Sequence, residues 1–196
     1  DAFLPVLARL GPQFSAELEH CGFYPGGGGR FRVRVRPVAE LGGFDLCTRG
    51  KLLACEARVL MANLPEHVGK REVQVLRERL AVVAPQVTLE RAVAAGPGNV
   101  ILVKVVSEQV TEVFCGFGQK GFPAERVAGD VARQVLKYLD ADVPVGPCLA
   151  DQLLLPLALS ARQSGGSSGA AQTAADTGDR QRGGAFRTGP LTGHTT

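Results

Sequence analysis

The sequence predicts an α+β fold, and three observations carry that prediction. Arg30, Arg32, Arg34 and Arg36 alternate with Phe31, Val33 and Val35, the two-residue period of a strand with one basic and one apolar face. The run Val100-Ile101-Leu102-Val103-Lys104-Val105-Val106 is apolar on both faces, as a strand central in a sheet would be. Val127, Val131, Val135 and Leu139 recur at helical spacing, and so do Leu149, Leu153, Leu154 and Leu157. At 196 residues, 45% of them hydrophobic, the chain suits one large or two small domains with a real core.

In chain order, Phe3, Leu4, Leu7, Leu10, Phe14 and Leu18 read as a helix, interrupted at Gly11-Pro12 and ending near Cys21-Gly22. The glycine run 26–29 then leads into the arginine strand. It is either a loose turn before a solvated basic face or the entrance to a basic surface that touches nucleic-acid phosphates. It has no GK[ST] and so is no phosphate loop. Leu46, Leu52, Leu53, Ala57, Val59 and Met61 suggest two strands around a Thr48-Arg49-Gly50-Lys51 turn. After Pro65 a helix is expected through Val68, Val73, Val75, Leu76 and Leu80. A loop at Gly96-Pro97-Gly98-Asn99 precedes the central strand, and residues 110–118 form its neighbour, with a turn at Gln119-Lys120-Gly121. Residues of about 38–120 thus make a β-α-β-β unit, long enough to be a small domain. Pro123 opens a helix with Glu125 in its first turn and Lys137 in its last, as the helix dipole favours. Residues 161–184 collapse almost entirely to Ser, Gly, Ala, Gln, Thr and Asp, with three arginines, and are expected to form a disordered surface loop.

A net charge of +3 permits RNA or nucleotide partners without demanding them. The five cysteines are odd in number, scattered and without a CxxC pair, which points to reduced thiols in an intracellular protein rather than to zinc. No apolar run approaches the roughly 20 residues of a membrane helix, and no signal peptide is visible, so no membrane partner is expected. His20 and His67 each stand alone and are expected to be structural or exposed. The chain opens with Asp1 rather than Met and stops at Thr196 directly after a polar motif, which suggests a fragment.

Two stretches carry candidate chemistry. In Val145-Gly146-Pro147-Cys148-Leu149-Ala150-Asp151-Gln152, glycine and proline break the preceding structure, and Asp151 and Gln152 are expected in the first turn of a helix. There a carboxylate can accept from a sugar or base, an amide can donate and accept, and free backbone N–H groups attract anions. The plain alternative is a buried amphipathic helix with a solvated start. Pro156 further along withholds an N–H from the carbonyl of Gln152. The second stretch is Thr188-Gly189-Pro190-Leu191-Thr192-Gly193-His194-Thr195-Thr196, where His194 can be general base, nucleophile or neither.

Taken together, Gly22-Phe23-Tyr24-Pro25-Gly26-Gly27-Gly28, Thr48-Arg49-Gly50, Gly96-Pro97-Gly98-Asn99, Leu149-Ala150-Asp151-Gln152-Leu153-Leu154-Leu155-Pro156 and the His194 segment resemble, in order and spacing, the RNA 3′-terminal phosphate cyclase family. The resemblance implies a large domain of repeated β-α-β-α-β-β units with a smaller α/β domain inserted in the last repeat. On that basis residues 1–37 and 121–196 would belong to the last repeat and 38–120 to the insert. It also implies roles. His194 matches the histidine that becomes adenylated by ATP, and Cys148, Leu149, Ala150, Asp151 and Gln152 match the nucleotide-binding segment. The implied partners are ATP, a divalent ion such as Mg²⁺, and an RNA ending in a 3′-phosphate, which is converted to a 2′,3′-cyclic phosphate. No metal ligand of the protein itself is expected. The compartment would be cytoplasmic if bacterial and nuclear if eukaryotic. The alternative is the family's ribosome-biogenesis branch, a non-catalytic RNA-binding scaffold that would use the arginine face and lacks the nucleophile. With the upstream repeats absent, this stretch alone is expected to carry only part of the site and to be inactive.

Overall fold

The computed structural model describes residues 1–141 and 143–163. Helix α1 (Phe3–Ala8) is followed by strands β1 (Gln13–His20), β2 (Arg30–Arg36) and β3 (Leu52–Ala62), helix α2 (Glu66–Arg79), strands β4 (Gln86–Arg91), β5 (Gly98–Ser107) and β6 (Thr111–Phe117), and helices α3 (Ala124–Ala141) and α4 (Pro147–Gln163). The β1–β2 pair is antiparallel and stands apart from a four-stranded mixed sheet of order β4-β3-β5-β6, in which only β3 and β4 run parallel. That parallel step needs a crossover, and α2 supplies it.

Alternation decides which face of the sheet is covered. Cys55, Ala57, Val59 and Met61 on β3, Ile101, Val103 and Val105 on β5 and Phe114 on β6 are buried, and they share one core with Leu76 of α2 and Val127, Ala128, Val131, Ala132, Val135 and Tyr138 of α3. Both helices therefore lie on one face of the sheet. The other face is half-solvated and carries cross-strand ion pairs, Arg58 with Glu90 at 2.7 Å and Lys104 with Glu56 at 2.7 Å. β5 is interior to the sheet as expected, but only one of its faces is fully buried. A second core joins Val6 and Leu10 of the N-terminal segment, Leu46, Val110 of the β5–β6 turn, Val145, and Leu149, Leu153 and Leu157 of α4.

Several expectations are corrected. Residues 13–20 form a strand, not the second half of a helix. Phe14 and Leu18 fit helical spacing, but with Ala16 they also fit a two-residue period, and the arginine strand needs a backbone partner. Phe14 pairs with Val35, Ala16 with Val33 and Leu18 with Phe31. No hairpin surrounds residues 48–51. Instead they run beside the β5–β6 turn, with Gln109 N–H donating to the Arg49 carbonyl at 3.0 Å and Lys51 N–H to the Glu108 carboxylate at 2.9 Å. Strand β4 escapes the sequence pattern because Val87 and Leu89 alone are too short an alternation. Helix α4 continues to Gln163, so residues 161–163 of the expected loop are helical, and the remainder of that loop lies outside the described residues. Helix α3 packs against β5, β6 and α2.

The apolar edge of the hairpin is left open among the described residues, with Leu18, Phe31, Val33 and Val35 all exposed. Elsewhere the notable burial is polar. Glu72 of α2 is 1% exposed, accepts from Asn99 Nδ2 at 2.5 Å through Oε1, and has no partner among the described residues for Oε2. Burial pushes its carboxyl from the ordinary 4.5 up to about 7; the Asn99 hydrogen bond opposes the shift and the charge of Glu125 adds to it. A raised acid holds its proton more tightly in the folded state, so its contribution to stability is complete below about 4.5 and is lost as pH rises through about 7. Replacing Glu72 by Gln should therefore stabilise the fold relative to the native residue increasingly from about pH 5 to about pH 8, by on the order of 2 kcal/mol at the upper end. Denaturant melts across that range check this, and a difference that does not change with pH would contradict it.

Candidate functional site

Helix α4 is set by its first residues. Gly146 ends the extended link and Pro147 takes the first helical position, where its missing N–H is no loss and its fixed φ is already helical. The first helical bond, Ala150 N–H to the Gly146 carbonyl, is 3.0 Å. From there the 3.6-residue period sorts the side chains. Leu149, Leu153, Leu157 and Ser160 are buried, and Ser160 Oγ donates to the Gly42 carbonyl at 2.5 Å. Cys148, Asp151 and Gln152 are exposed together on the other side. Of the five expected nucleotide-segment residues, then, three present side chains outward. Leu149 is in the core and Ala150 packs against it half-buried.

Two expectations about this helix change. Because Pro147 is already helical, Asp151 and Gln152 lie in the second turn, and no acidic residue stands in the first. Nor are all the donors of the helix start open to an anion, since the Gly146 N–H is taken by the carboxylate of Glu112 on β6. Pro156 does not end the helix, and by chemistry alone it leaves the Gln152 carbonyl without its i+4 amide donor.

The link that feeds α4 is held from the four-stranded unit. Glu112 is 2% exposed; burial pushes its carboxyl up, opposed by hydrogen bonds from the amides of Gly146 and Val113. Tyr138 of α3 donates its hydroxyl to the Pro144 carbonyl at 3.1 Å, and its ring lies 5.5 Å from that of Phe114. Burial foremost, and then the charge of Glu112, push that hydroxyl up to about 12. Arg49 closes the arrangement, donating to the Tyr138 carbonyl at 2.9 Å and the Leu139 carbonyl at 2.7 Å, with its guanidinium 5.0 Å from the Tyr138 ring centroid. Lys137 was expected in the last turn of α3, but the helix runs to Ala141 and no basic residue stands there. Arg49 supplies the positive charge from outside.

At the opposite end of the unit the glycine segments meet. Gly27 N–H donates to the Phe23 carbonyl at 2.8 Å, and a Cβ on Gly26 would lie 2.9 Å from Gly96 Cα, so backbone approaches backbone. Asn63 holds the same loop, donating to the carbonyls of Ala94 at 2.9 Å and Gly96 at 3.3 Å. The arginine face is partly neutralised. Glu19 meets Arg32 at 2.5 Å and Arg30 at 3.8 Å, and Arg36 donates to Gln13 at 3.3 Å. His20 and His67 are exposed, as expected. All five cysteines are free, and among the described residues no group of His, Cys, Asp and Glu could hold a metal ion. No helix among them is long and apolar enough to cross a membrane. His194 lies outside the described residues, so its position relative to α4 is not described.

Residues 47–140 match the model of the RNA 3′-terminal phosphate cyclase insert domain. The chain is also 44% identical over 156 residues to the RNA 3′-terminal phosphate cyclase of Salmonella enteritidis PT4, an overlap of 80% of this chain and 46% of that protein. The chain belongs to the RNA 3′-terminal phosphate cyclase family. Cyclases of Pseudomonas aeruginosa (42% over 161 residues, 82% of this chain and 47% of that protein) and Ralstonia nicotianae (43% over 160 residues, 81% and 46%) are similar to it in the same way. The chain thus spans about half the length of the cyclases it matches. The insert match takes in α3, in keeping with the packing of that helix on the sheet, and stops before α4.

Glu112 and Tyr138 were missed from the sequence. A signal for Glu112 existed, because a charge shares the inward side of β6 with Phe114. None existed for Tyr138. Replacing Arg49 by Ala should lower stability by about 2 kcal/mol, since two charge-assisted bonds to the end of α3 are lost. Arg49→Lys should recover less than half of this, because an ammonium cannot span both carbonyls and stack on the ring. Urea melts of the two variants test the point, and a lysine variant as stable as the native protein would contradict it.

Proposed function

We propose that this chain is part of an ATP-dependent enzyme that converts an RNA 3′-terminal phosphate to a 2′,3′-cyclic phosphate. The observation that carries the reading is the 44% identity, along 80% of the chain, to a protein named RNA 3′-terminal phosphate cyclase. The geometry of α4 supports it, since Cys148, Asp151 and Gln152 share one exposed face while Leu149 and Leu153 anchor the helix beneath. In this reading residues 1–37 and α4 onward belong to the repeated large domain, and the four-stranded unit with α2 and α3 is its insert.

The proposed chemistry has three transfers. A ring nitrogen of His194 attacks the α-phosphorus of ATP, a nitrogen–phosphorus bond forms, and the bond to pyrophosphate breaks. The adenylyl group then passes to an oxygen of the RNA 3′-phosphate, releasing the imidazole. The adjacent 2′-hydroxyl attacks that activated phosphorus, loses its proton and expels AMP. Neutral imidazole is a competent nucleophile near pH 7, which suits the first step. Asp151 would accept from a hydroxyl or amine of the nucleotide, and Gln152 would donate and accept. A divalent ion such as Mg²⁺, bound with ATP, would neutralise the triphosphate. The scaffold alternative would use the arginine face, where Glu19 pairs with Arg32 and lies 3.8 Å from Arg30.

In protein of the relatives' full length, α-labelled ATP should leave one label per chain, labile in acid and stable in mild base, as a phosphoramidate is. His194→Asn should abolish the label, because the amide keeps similar hydrogen bonding but has no nucleophilic ring nitrogen. Gln152→Ala should weaken labelling by roughly 5- to 150-fold and leave its position unchanged. Undiminished labelling of His194→Asn would overturn the mechanism.

A further inference from the structure

Glu112 makes no hydrogen bond to Cys148, Asp151 or Gln152, yet it holds the residue at which their helix starts. We propose that Glu112 is a positioning residue for nucleotide binding, fixing through the Gly146 amide where α4 begins and hence which side chains it turns outward. The proposal rests on the reading of α4 as the nucleotide segment.

The geometry leaves the helix little latitude. A Cβ at position 146 would lie 3.2 Å from Glu112 Oε1, so the carboxylate sits as close to the backbone as glycine permits. Gly146 is buried, and without Glu112 its N–H would lose the acceptor it has in the fold. Two residues earlier the Pro144 carbonyl is tied to the Tyr138 hydroxyl, and between them Val145 is inserted in the second core. Three consecutive residues are thus fixed by a hydrogen bond, an apolar contact and a second hydrogen bond. Each single-residue shift of the start would turn the helix by about 100°. It would bring Leu149 and Leu153 out of the core and swing Asp151 and Gln152 away from the face they share with Cys148. Both anchors, β6 and α3, belong to the four-stranded unit, so the insert acts on the nucleotide segment without contributing a side chain to it.

The test compares native protein of full family length with Glu112→Ala, Glu112→Gln and Tyr138→Phe. For each, the ATP concentration at half-maximal rate and the maximal rate of label incorporation are measured, with the melting temperature alongside. Glu112→Ala should raise the half-saturating ATP concentration by about tenfold and change the maximal rate by no more than about twofold. Glu112→Gln keeps an oxygen for Gly146 and should restore most of the affinity, and Tyr138→Phe should raise the half-saturating concentration by about threefold. A purely structural role would lower the melting temperature and the number of active molecules and leave the half-saturating concentration alone. That result in Glu112→Ala overturns the proposal. If that variant fails to fold, the same result in Tyr138→Phe overturns it. Native protein that takes up no label overturns the nucleotide reading and the inference with it, whereas labelled native protein with unaffected variants overturns the inference alone.

Discussion

The acceptance of the Gly146 N–H by the buried Glu112 carboxylate is the contact on which the arrangement of this molecule turns. It joins two bodies that have separate cores, the sheet with α2 and α3 on one side and the α1–α4 cluster on the other. A carboxyl group at that depth is costly to desolvate, and its upward-shifted acidity is the sign of that cost. What offsets it are two backbone donors, the amide of Val113 on β6 and that of Gly146 at a helix start, where N–H groups lack intrahelical partners and the dipole favours a negative charge. Here the protein fills with its own side chain a position that in other folds receives an anionic ligand.

The other couplings between the two bodies repeat this pattern. Arg49 comes from the irregular segment before β3, yet it ends α3, and α3 in turn presents Tyr138 to the link before α4. Arg9 of the N-terminal segment donates to the Gln109 carbonyl in the β5–β6 turn, and its guanidinium lies 5.7 Å from the Phe44 ring centroid. The insert and the rest of the chain are thus connected by polar groups aimed at backbone ends and by Val110, which the β5–β6 turn contributes to the second core. Those contacts fix orientation, and apolar packing within each core supplies most of the stability.

How much of this was legible depended on whether a pattern had one reading. β2 and α3 could be placed because strict alternation and an unbroken helical rhythm exclude each other, and the apolar run of β5 was bounded by turns and rich in valine. Phe14 and Leu18 satisfied both periods, and only the pairing with β2 decided between them. The sequence pattern places the start of α4 one turn late, because Gly146-Pro147 has the form of a break, whereas Pro147 is itself the first helical residue. The family motifs named Arg49, Asp151 and Gln152. They could not name Glu112 or Tyr138, whose roles exist only once residues far apart in sequence, Glu112 and Gly146 or Arg49 and Tyr138, are brought together. The expected nucleophile, His194, rests on motif alone, since it lies outside the described residues.

The central claim is that the link into α4 is rigid because the insert holds it. Hydrogen exchange at single amides reads this directly. The account predicts that the Gly146 amide exchanges as slowly as the amides of β5 and that Glu112→Ala speeds it by two orders of magnitude or more, roughly the loss of a buried charge-assisted bond. A Gly146 amide that exchanges in the native protein as fast as an exposed loop would contradict the account.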